Sequence, residues 1–274
     1  MRLTHDSHQT NYDKSVLTTH LGGTQTVLRA VRSVLAVAGV AVIATAGSAA
    51  ISSAGVTVPT DVVNIEPAAG QKVGVAMPVT VTFAQSITNR PAAERTIALT
   101  SPATPAGSFT WLNDRVVQWS PKGFWPAHSN IIVTAGGAKT TFETGAAVVG
   151  VADIDAHTFT VSIDDQVMRQ MPASMGKPKF PTPIGSFTAL EKQKSVIMDS
   201  RTIGIPLSDP EGYRLTVANA VRATWGGIYV HSAPWSVGSQ GYSNVSHGCI
   251  NLGPDNAAWY YDTVNIGDPI IVQQ

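Results

Sequence analysis

The sequence has 274 residues, 43% of them hydrophobic, and its 18 Lys and Arg residues balance 18 Asp and Glu residues. This length and apolar content suffice for two domains with a core each. The balanced charge disfavours a polyanionic partner such as nucleic acid. The single cysteine, Cys249, excludes an intramolecular disulfide. No Cys/His spacing is that of a zinc site, so we expect neither a metal nor another cofactor.

The first 28 residues are polar and show no hydrophobic period. We predict that residues 1–28 are either a disordered cytoplasmic segment or residues upstream of the true start of synthesis, because a polar stretch of this length is unusual ahead of a signal peptide. Their three histidines are too scattered to predict a metal-binding tract.

An uncharged apolar segment follows. Arg29 and Arg32 precede Ser33–Thr60, which contains no charged residue. Positive charges in this place hold the short N-terminal side in the cytoplasm, so the remainder of the chain is predicted to be exported to the cell envelope. Residues 29–51 fit a membrane anchor and a cleaved signal peptide equally well, and both alternatives stay open. Residues 52–60 are small and polar enough to be a linker.

Residues 61–145 contain seven short strand-like runs separated by turn signals, a pattern that predicts a β-sandwich. The motifs P-A-A-G at 67–70, M-P-V-T-V-T-F at 77–83 and W-S-P-K-G-F-W-P at 119–126 make the segment resemble bacterial immunoglobulin-like domains. Its tryptophans are expected to pack in the core rather than to bind carbohydrate. No catalytic constellation is present, so we predict a spacer domain. The predicted strands are Val62–Ile65, Val79–Phe83, Thr96–Leu99, Ser108–Leu112, Val116–Trp119, Ile131–Val133 and Thr140–Phe142.

The strand pattern restarts in residues 148–274, which are predicted to be mostly β with one or two short helices. The clear helix begins at Pro254, with Asp255 in its first turn and Gly253 as a candidate N-cap. We expect this helix to pack beneath the loop that carries Cys249. The chain as a whole is therefore predicted to be mainly β. The predicted strands here are Val148–Val151, Thr158–Ile163, Gln166–Arg169, Ser195–Met198, Ile228–Val230 and Pro269–Val272.

Residues 227–252 hold Cys249 and two of the seven histidines, His231 and His247. Gly248, beside the cysteine, permits a close backbone approach. A lone cysteine is most often a buried packing residue. Here the glycine and histidine neighbours, and an imidazole at the end of a strand-like run, favour a thiol nucleophile with an imidazole base. The residues alone do not choose between the two imidazoles.

The same segment resembles the L,D-transpeptidase catalytic family (YkuD-like) of the actinobacterial type. The resemblance rests on His231, the 14-residue spacer 232–245 and the motif Ser-His-Gly-Cys-Ile-Asn at 246–251. Two upstream motifs extend it, M-P-A-S-M-G at 171–176 and P-T-P-I-G at 181–185. It covers the second predicted domain and implies a β-rich catalytic fold.

The resemblance implies a role for each motif residue. Cys249 is the nucleophile, and His231 is the base, held in its tautomer by the backbone carbonyl of Ser232. A carbonyl can replace a carboxylate here, because its task is only to accept the N–H that points away from sulfur. His247 is implied as a positioning group. The backbone N–H groups of Gly248 and Cys249 would form the oxyanion hole.

The resemblance also implies a substrate pocket covered by a lid, which it places at residues 195–213. Some relatives carry an aromatic residue in the lid where this chain has Ile203. Asn251 is expected to hydrogen-bond local backbone, and Trp235 either walls the pocket or simply packs. The implied substrate-binding residues are Met198, Tyr213, Trp235, Ser246 and Asn251.

For the function, the resemblance implies a peptidoglycan acyltransferase. The donor would be a tetrapeptide stem and the acceptor the side-chain amine of diaminopimelate on a neighbouring stem, joined in a 3→3 cross-link through a Cys249 thioester. β-Lactams of the carbapenem type are the implied covalent inhibitors, and the membrane is contacted only through the N-terminal segment. Two alternatives stay open: a Cys–His L,D-carboxypeptidase or peptidase that hydrolyses wall peptides, and a non-catalytic wall-binding module.

Overall fold

The computed structural model of the protein describes residues 61–274. The predicted N-terminal segment, the anchor or signal peptide and the linker all fall in residues 1–60 and lie outside the described residues. None of the helices in residues 61–274 has the length and apolar character needed to cross a membrane.

The first domain is a β-sandwich, which confirms the predicted fold class. Its elements are β1 (Val62–Glu66), β2 (Lys72–Val73), β3 (Val79–Phe83), α1 (Arg90–Glu94), β4 (Ile97–Thr100), β5 (Gly107–Trp111), β6 (Val116–Pro121), β7 (Asn130–Ala135) and β8 (Ala138–Thr144). Two four-stranded sheets face each other, with the strand orders β1-β3-β6-β5 and β2-β8-β7-β4. All seven predicted strands are present, whereas β2 is too short to leave a pattern.

The sandwich core is filled by alternating side chains and by tryptophan. In β3 the valines and the phenylalanine are buried, while the threonines between them are only partly covered. Trp119 and Trp125 are buried with their ring centroids 5.0 Å apart. The indole N–H of Trp125 donates to the Met77 carbonyl at 2.8 Å, which satisfies its polar atom. These two tryptophans therefore pack the core and form no external platform.

The second domain is built on one nine-stranded sheet. Its elements are β9 (Val148–Asp153), β10 (Thr158–Ile163), β11 (Gln166–Ser174), β12 (Gly185–Thr188), β13 (Glu191–Asp199), β14 (Arg214–Arg222), β15 (Tyr229–Ser232), β16 (Ile250–Leu252), α2 (Pro254–Thr263) and β17 (Pro269–Gln273), with short 3-10 helices at Ser200–Ile203 and Pro234–Ser236. The strand order is β12-β17-β9-β10-β11-β16-β15-β14-β13. The predicted strands are all present, but β12, β14 and β16 were not predicted.

The structure divides the predicted lid, residues 195–213, into the end of a strand and a loop. β13 runs to Asp199 and pairs with β14 in the register Ser195↔Ala218 to Asp199↔Arg214. The first five residues of the predicted lid are therefore ladder-bonded strand. Residues 200–213 form the loop that follows and are termed the lid.

Helix α2 packs against β14 and β15, on the core side of the sheet. It begins directly after Gly253, which is its N-cap residue, and has Asp255 in its first turn, both as predicted. Ala257 and Tyr260 are buried on the helix face that joins the core cluster containing Ile250. The Tyr260 ring packs edge-on against Phe159 of β10, with the centroids 4.9 Å apart, so α2 is held to the core beneath β15, the strand that carries His231.

The two domains meet at a junction between residues 73–77 and 265–268. Main-chain bonds join them, from Gly74 N to Ile266 O and from Ala76 N to Gly267 O, both 2.8 Å. A β-carbon on Gly74 would lie 2.0 Å from the backbone nitrogen of Asp268, so only glycine fits there. Asp268 is fully buried at this junction.

Asp268 is an ionisable group held away from water. Its Oδ2 accepts from the backbone N–H of Asn265 at 2.7 Å, while its Oδ1 has no partner within the described residues. Burial raises the pKa of this carboxyl to about 6, and hydrogen bonds from the Asn265 and Val75 backbones offset the shift only in part.

This shift predicts a pH-dependent stability. The native pKa lies above the unfolded one, so the native state binds the proton more tightly and stability is lost as pH rises from about 4 to about 6. The cost at neutral pH is about 3 kcal/mol. Asp268→Asn should remove this step and should be more stable than wild type at pH 7.5 in urea unfolding. Asp262→Asn, at an exposed position on α2, is the control. An unchanged pH dependence in Asp268→Asn would contradict the assignment.

Candidate active site

The site is organised by the parallel pairing of β15 with β16. Val230 is aligned with Ile250 and His231 with Asn251. Val230 and Ile250 both point into the hydrophobic core. Because side chains alternate along a strand, His231 and Asn251 lie on the opposite face, and so does Cys249, one residue before β16. The pairing therefore brings the thiol and the imidazole to one wall, although 17 residues separate them in sequence.

The loop before Cys249 is braced by the two upstream motifs. Ser246 N donates to Met175 O, and Lys177 N donates to Ser246 O, both at 3.0 Å. The hydroxyl of Thr182 donates to Gly248 O and accepts from Gly176 N, each at 2.8 Å. The motifs at 171–176 and 181–185 thus serve the site by holding the nucleophile loop.

Gly248 takes a conformation that other residues avoid. Its φ is +115°, and an added β-carbon would lie 2.8 Å from Ile228 Cδ1. The Ser246 hydroxyl closes this turn, because it accepts from Gly248 N at 3.0 Å and donates to Cys249 O at 2.6 Å. The Gly248 N–H is thus occupied, which corrects the predicted two-donor oxyanion hole. Within residues 61–274 the Cys249 N–H donates to no acceptor.

His231 is held as a neutral imidazole. Its side chain is 2% exposed, and its Nδ1 lies 2.9 Å from the carbonyl of Ser232, the bond that the resemblance implies. A carbonyl only accepts, so Nδ1 carries the proton and Nε2 is left with a lone pair facing the pocket. Burial lowers the pKa of the imidazole to about 4.

Cys249 rests as a neutral thiol. Its Sγ lies 3.7 Å from the carbonyl oxygen of Gly227. Burial raises the pKa of the thiol to about 11, and a hydrogen bond from the Tyr229 backbone N–H offsets the shift only in part. The lowered pKa of the imidazole and the raised pKa of the thiol favour proton transfer that accompanies attack on a substrate over transfer that precedes it.

His247 is tied to the lid, a contact that sequence reasoning missed. Its Nε2 lies 2.9 Å from Oε2 of Glu211. Its ring packs between Phe180 and Tyr213, with centroids 4.7 and 5.0 Å away. Burial is the main cause that lowers the pKa of the imidazole. Neither Glu211 nor Phe180 belongs to a sequence motif. The one signal in the sequence that points to Glu211 is its position two residues before Tyr213.

The pocket over the thiol has a volume of about 350 Å³. Ser232 and Gly248 do not line it, and Ile203 on the lid is 41% exposed outside it. Burial, followed by the charge of an ionised Cys249, raises the pKa of the Tyr213 phenol, so this group stays a hydrogen-bond donor close to the sulfur. The predicted residues that line the pocket are Met198, Tyr213, His231, Trp235, Ser246, His247, Cys249 and Asn251, and sequence reasoning missed Leu215, Ser236, Ser239 and Val245.

Asn251 acts on a side chain instead of the local backbone that was expected. Its Nδ2 donates to Ser236 Oγ at 3.2 Å. Gln240, also missed from sequence, donates to the same hydroxyl at 3.2 Å and to Ala233 O at 3.1 Å. These bonds fasten the start of the loop between β15 and β16. Trp235, 56% exposed with its ring 6.0 Å from the His231 ring, forms the open rim of the pocket.

These groups define a class of enzyme. A lone thiol, an imidazole with a free Nε2, an unoccupied backbone N–H and a partly buried phenol surround one cavity, which is the arrangement of an acyl-transfer enzyme with a cysteine nucleophile. Among residues 61–274 no group of three or more His, Cys, Asp or Glu side chains is placed to hold a metal ion.

Comparison with known proteins identifies the family. The family model for the L,D-transpeptidase catalytic domain (YkuD) matches residues 147–272, and that for a bacterial Ig domain matches residues 53–141. L,D-transpeptidase 1 of Mycobacterium tuberculosis strain H37Rv is 58% identical over 211 residues, which cover 77% of this chain and 84% of the relative. The chain therefore belongs to the L,D-transpeptidase family and is an L,D-transpeptidase.

Solved structures agree with this assignment. An L,D-transpeptidase from Mycobacterium smegmatis is 69% identical, with a TM-score of 0.76 over 79% of this chain and 100% of the other. The LD transpeptidase LdtMt1 in complex with imipenem is 57% identical, with a TM-score of 0.75 over 78% and 99%. L,D-transpeptidase 3 from M. tuberculosis in complex with a faropenem-derived adduct is 53% identical, with a TM-score of 0.73 over 78% and 98%.

The resting protonation state predicts slow alkylation. The thiolate is the reacting form, and a thiol with a pKa of about 11 is ionised to about 10⁻⁴ at pH 7. Alkylation of Cys249 by iodoacetamide should be on the order of 10²-fold slower at pH 7.5 than that of a free cysteine peptide, and should rise without a plateau to pH 10. The chain has no other cysteine, so mass spectrometry reports this site alone. A plateau below pH 8 would instead demonstrate a preformed thiolate–imidazolium pair.

Proposed function

We propose that the chain joins peptidoglycan stem peptides in 3→3 cross-links, with a tetrapeptide stem as donor and the side-chain amine of diaminopimelate on a neighbouring stem as acceptor. The observation that carries this proposal is the placement of the Cys249 thiol and the His231 imidazole on one wall of a cavity that Tyr213, at the end of the lid, also lines. Membership of the L,D-transpeptidase family supports the choice of substrate.

Acylation begins with attack of Cys249 Sγ on the carbonyl of diaminopimelate that is bonded to the terminal D-Ala. His231 Nε2 takes the thiol proton as the carbon–sulfur bond forms. The negative charge on the carbonyl oxygen is met by the Cys249 N–H and, from the lid side, by the phenol of Tyr213. The carbon–nitrogen bond then breaks, and His231 returns the proton to the departing amine of D-Ala, leaving a thioester.

Transfer requires the acceptor amine to attack this thioester before water does. His231 Nε2, neutral again, takes a proton from the attacking amine and gives it to the sulfur as the thiol is released. The new peptide bond conserves the energy of the old one, so no nucleotide is needed. An amine held in attack geometry outcompetes water through an effective molarity of about 10⁵ M or more, provided that the lid keeps bulk water out.

β-Lactams of the carbapenem type are proposed as covalent inhibitors through the same thioester chemistry. The relatives with bound imipenem and with a faropenem-derived adduct support this. The strained lactam carbonyl would occupy the place of the donor carbonyl. The carbon–sulfur bond to Cys249 forms as the lactam carbon–nitrogen bond breaks, and the nitrogen, which receives the thiol proton through His231, stays attached to the adduct.

The proposed location is the cell envelope, because the uncharged segment Ser33–Thr60 follows Arg29 and Arg32. The immunoglobulin-like domain would then act as a spacer between an anchor and the wall, with the contact to the membrane confined to the N-terminal segment. Protease treatment of intact cells, spheroplasts and lysed cells tests this. Degradation only after lysis would place the domain in the cytoplasm and contradict export.

Product analysis decides between transfer and hydrolysis. We expect a disaccharide-tetrapeptide, supplied as both donor and acceptor, to give mainly cross-linked dimer by mass spectrometry. Cys249→Ala should remain folded and yield no product. Tripeptide alone at high acceptor concentration would identify a carboxypeptidase, and no change with the wild-type chain would identify a wall-binding module.

The two histidines should differ in effect. His231→Ala removes the proton acceptor and should lower the acylation rate by 10²–10⁴-fold, an order-of-magnitude expectation for loss of a general base. Because hydroxide can ionise the thiol in its place, higher pH should recover part of this loss. His247→Ala disturbs the geometry of lid and loop, so its loss should persist at high pH. If high pH restores the acylation rate of His247→Ala but not that of His231→Ala, His247 is the base and His231 the positioning group.

A further inference from the structure

One acidic residue links the lid to the nucleophile loop. Glu211 lies near the end of the lid, and its Oε2 accepts from two donors on other elements. Lys177 Nζ is one of them, and His247 Nε2 at 2.9 Å is the other. His247 is two residues before Cys249, and Lys177 belongs to the segment that braces the nucleophile loop through Ser246 O.

Among residues 61–274, these bonds are the sole polar attachment of the lid to the opposite wall. The base of the lid is closed on itself, because Ser200 N donates to Tyr213 O at 2.9 Å and Tyr213 N donates to Ser200 Oγ at 3.0 Å. Arg201 and Thr202 bond back to Asp199. Of the hydrogen bonds and ion pairs that residues 200–212 make within the described chain, only those of Glu211 leave the segment 199–213.

The setting strengthens this attachment. The side chains of Glu211, Lys177 and His247 are 28%, 26% and 19% exposed, so solvent screens them incompletely. The hydrogen bond from Lys177 is the main cause that lowers the pKa of the Glu211 carboxyl. The same anchor keeps Tyr213, two residues further on, packed against the His247 ring.

We propose that Glu211 is a positioning residue that latches the lid onto the nucleophile loop and thereby sets how the Cys249 thioester divides between amine and water. The division of the thioester between amine and water rests on the proposed function, whereas the attachment of the lid by Glu211 does not. With the carboxylate held by both donors, the lid covers the sulfur and water is kept from the thioester. Without it, the lid is fastened at its base alone and swings away from His247.

The chain offers a matched pair of lysines for the test. Lys177 and Lys179 lie two residues apart, with their ammonium groups 5.6 and 5.2 Å from the centre of the Phe180 ring. Of these two lysines, Lys177 bonds Glu211 and Lys179 does not. Lys177→Met therefore removes one arm of the latch, while Lys179→Met makes the same chemical change beside it. Glu211→Gln keeps the size of the side chain and removes the charge that both donors need.

The first measurement is hydrogen–deuterium exchange of the lid amides in the full chain, which needs no substrate. Glu211→Gln and Lys177→Met should each raise the exchange rate of residues 200–213 by about tenfold, the effect of losing one charged hydrogen bond on local opening. Lys179→Met should stay within about twofold of wild type. The double variant Glu211→Gln/Lys177→Met should exchange about as fast as Glu211→Gln alone, because loss of the carboxylate charge already removes the ion pair that Lys177→Met deletes.

The second measurement is the ratio of cross-linked dimer to free tripeptide. Glu211→Gln and Lys177→Met should raise the tripeptide share, with the acylation rate reduced less than the ratio, whereas a general loss of stability would lower both products together. If the hydrogen–deuterium exchange rate of the lid amides is unchanged in both variants, Glu211 does not latch the lid. A loosened lid with an unchanged product ratio would overturn its role in partition. A wild-type chain that releases only tripeptide refutes the proposed function, and the exchange rates still decide the latch.

Discussion

Adjacent strands that run in the same direction impose the constraint on which this site depends. A parallel pair cannot be closed by a tight hairpin and needs a connection of a dozen or more residues. The chain between β15 and β16 is this connection. It explains why the histidine and the cysteine are separated by a long spacer and yet share a wall. The connection also supplies pocket residues such as Trp235 and Val245, so the spacer is itself part of the binding surface.

Packing on three sides keeps strands β15 and β16 in register. Helix α2 buries Ala257 and Tyr260 in the core behind β14 and β15. From another side, the Thr182 hydroxyl donates a hydrogen bond to the backbone carbonyl of Gly248. Asn251 donates a hydrogen bond to Ser236, which lies near the start of the connection. On the fourth side lies the lid, where the charged contact of Glu211 accompanies the ring packing of Tyr213 on His247. The catalytic groups are thus fixed while their cover can open, as substrate entry and product release require.

The sequence predicted those parts of the molecule that local patterns encode. Every strand with a dense run of β-branched residues was found, as was α2, because its Gly-Pro-Asp start is a local signal. β16 was missed because its three residues continue the catalytic motif. β14 was missed because Ala218, Asn219 and Ala220 dilute its pattern, and Asn219 has a φ of +51° that regular strands lack. Glu211, Lys177 and Gln240 act across the tertiary fold, where no single-sequence pattern reaches. The occupied Gly248 N–H depends on one hydroxyl rotamer.

The raised pKa of the Cys249 thiol also bears on chemical durability. Peroxides and similar oxidants attack the thiolate, and the first product, a sulfenic acid, leads on to irreversibly oxidised forms. A nucleophile that stays protonated until an acyl donor reaches it offers these reagents little to react with. The chain holds no second cysteine that could resolve an oxidised one as a disulfide. The burial that makes His231 necessary for ionisation is therefore also what preserves the thiol between turnovers.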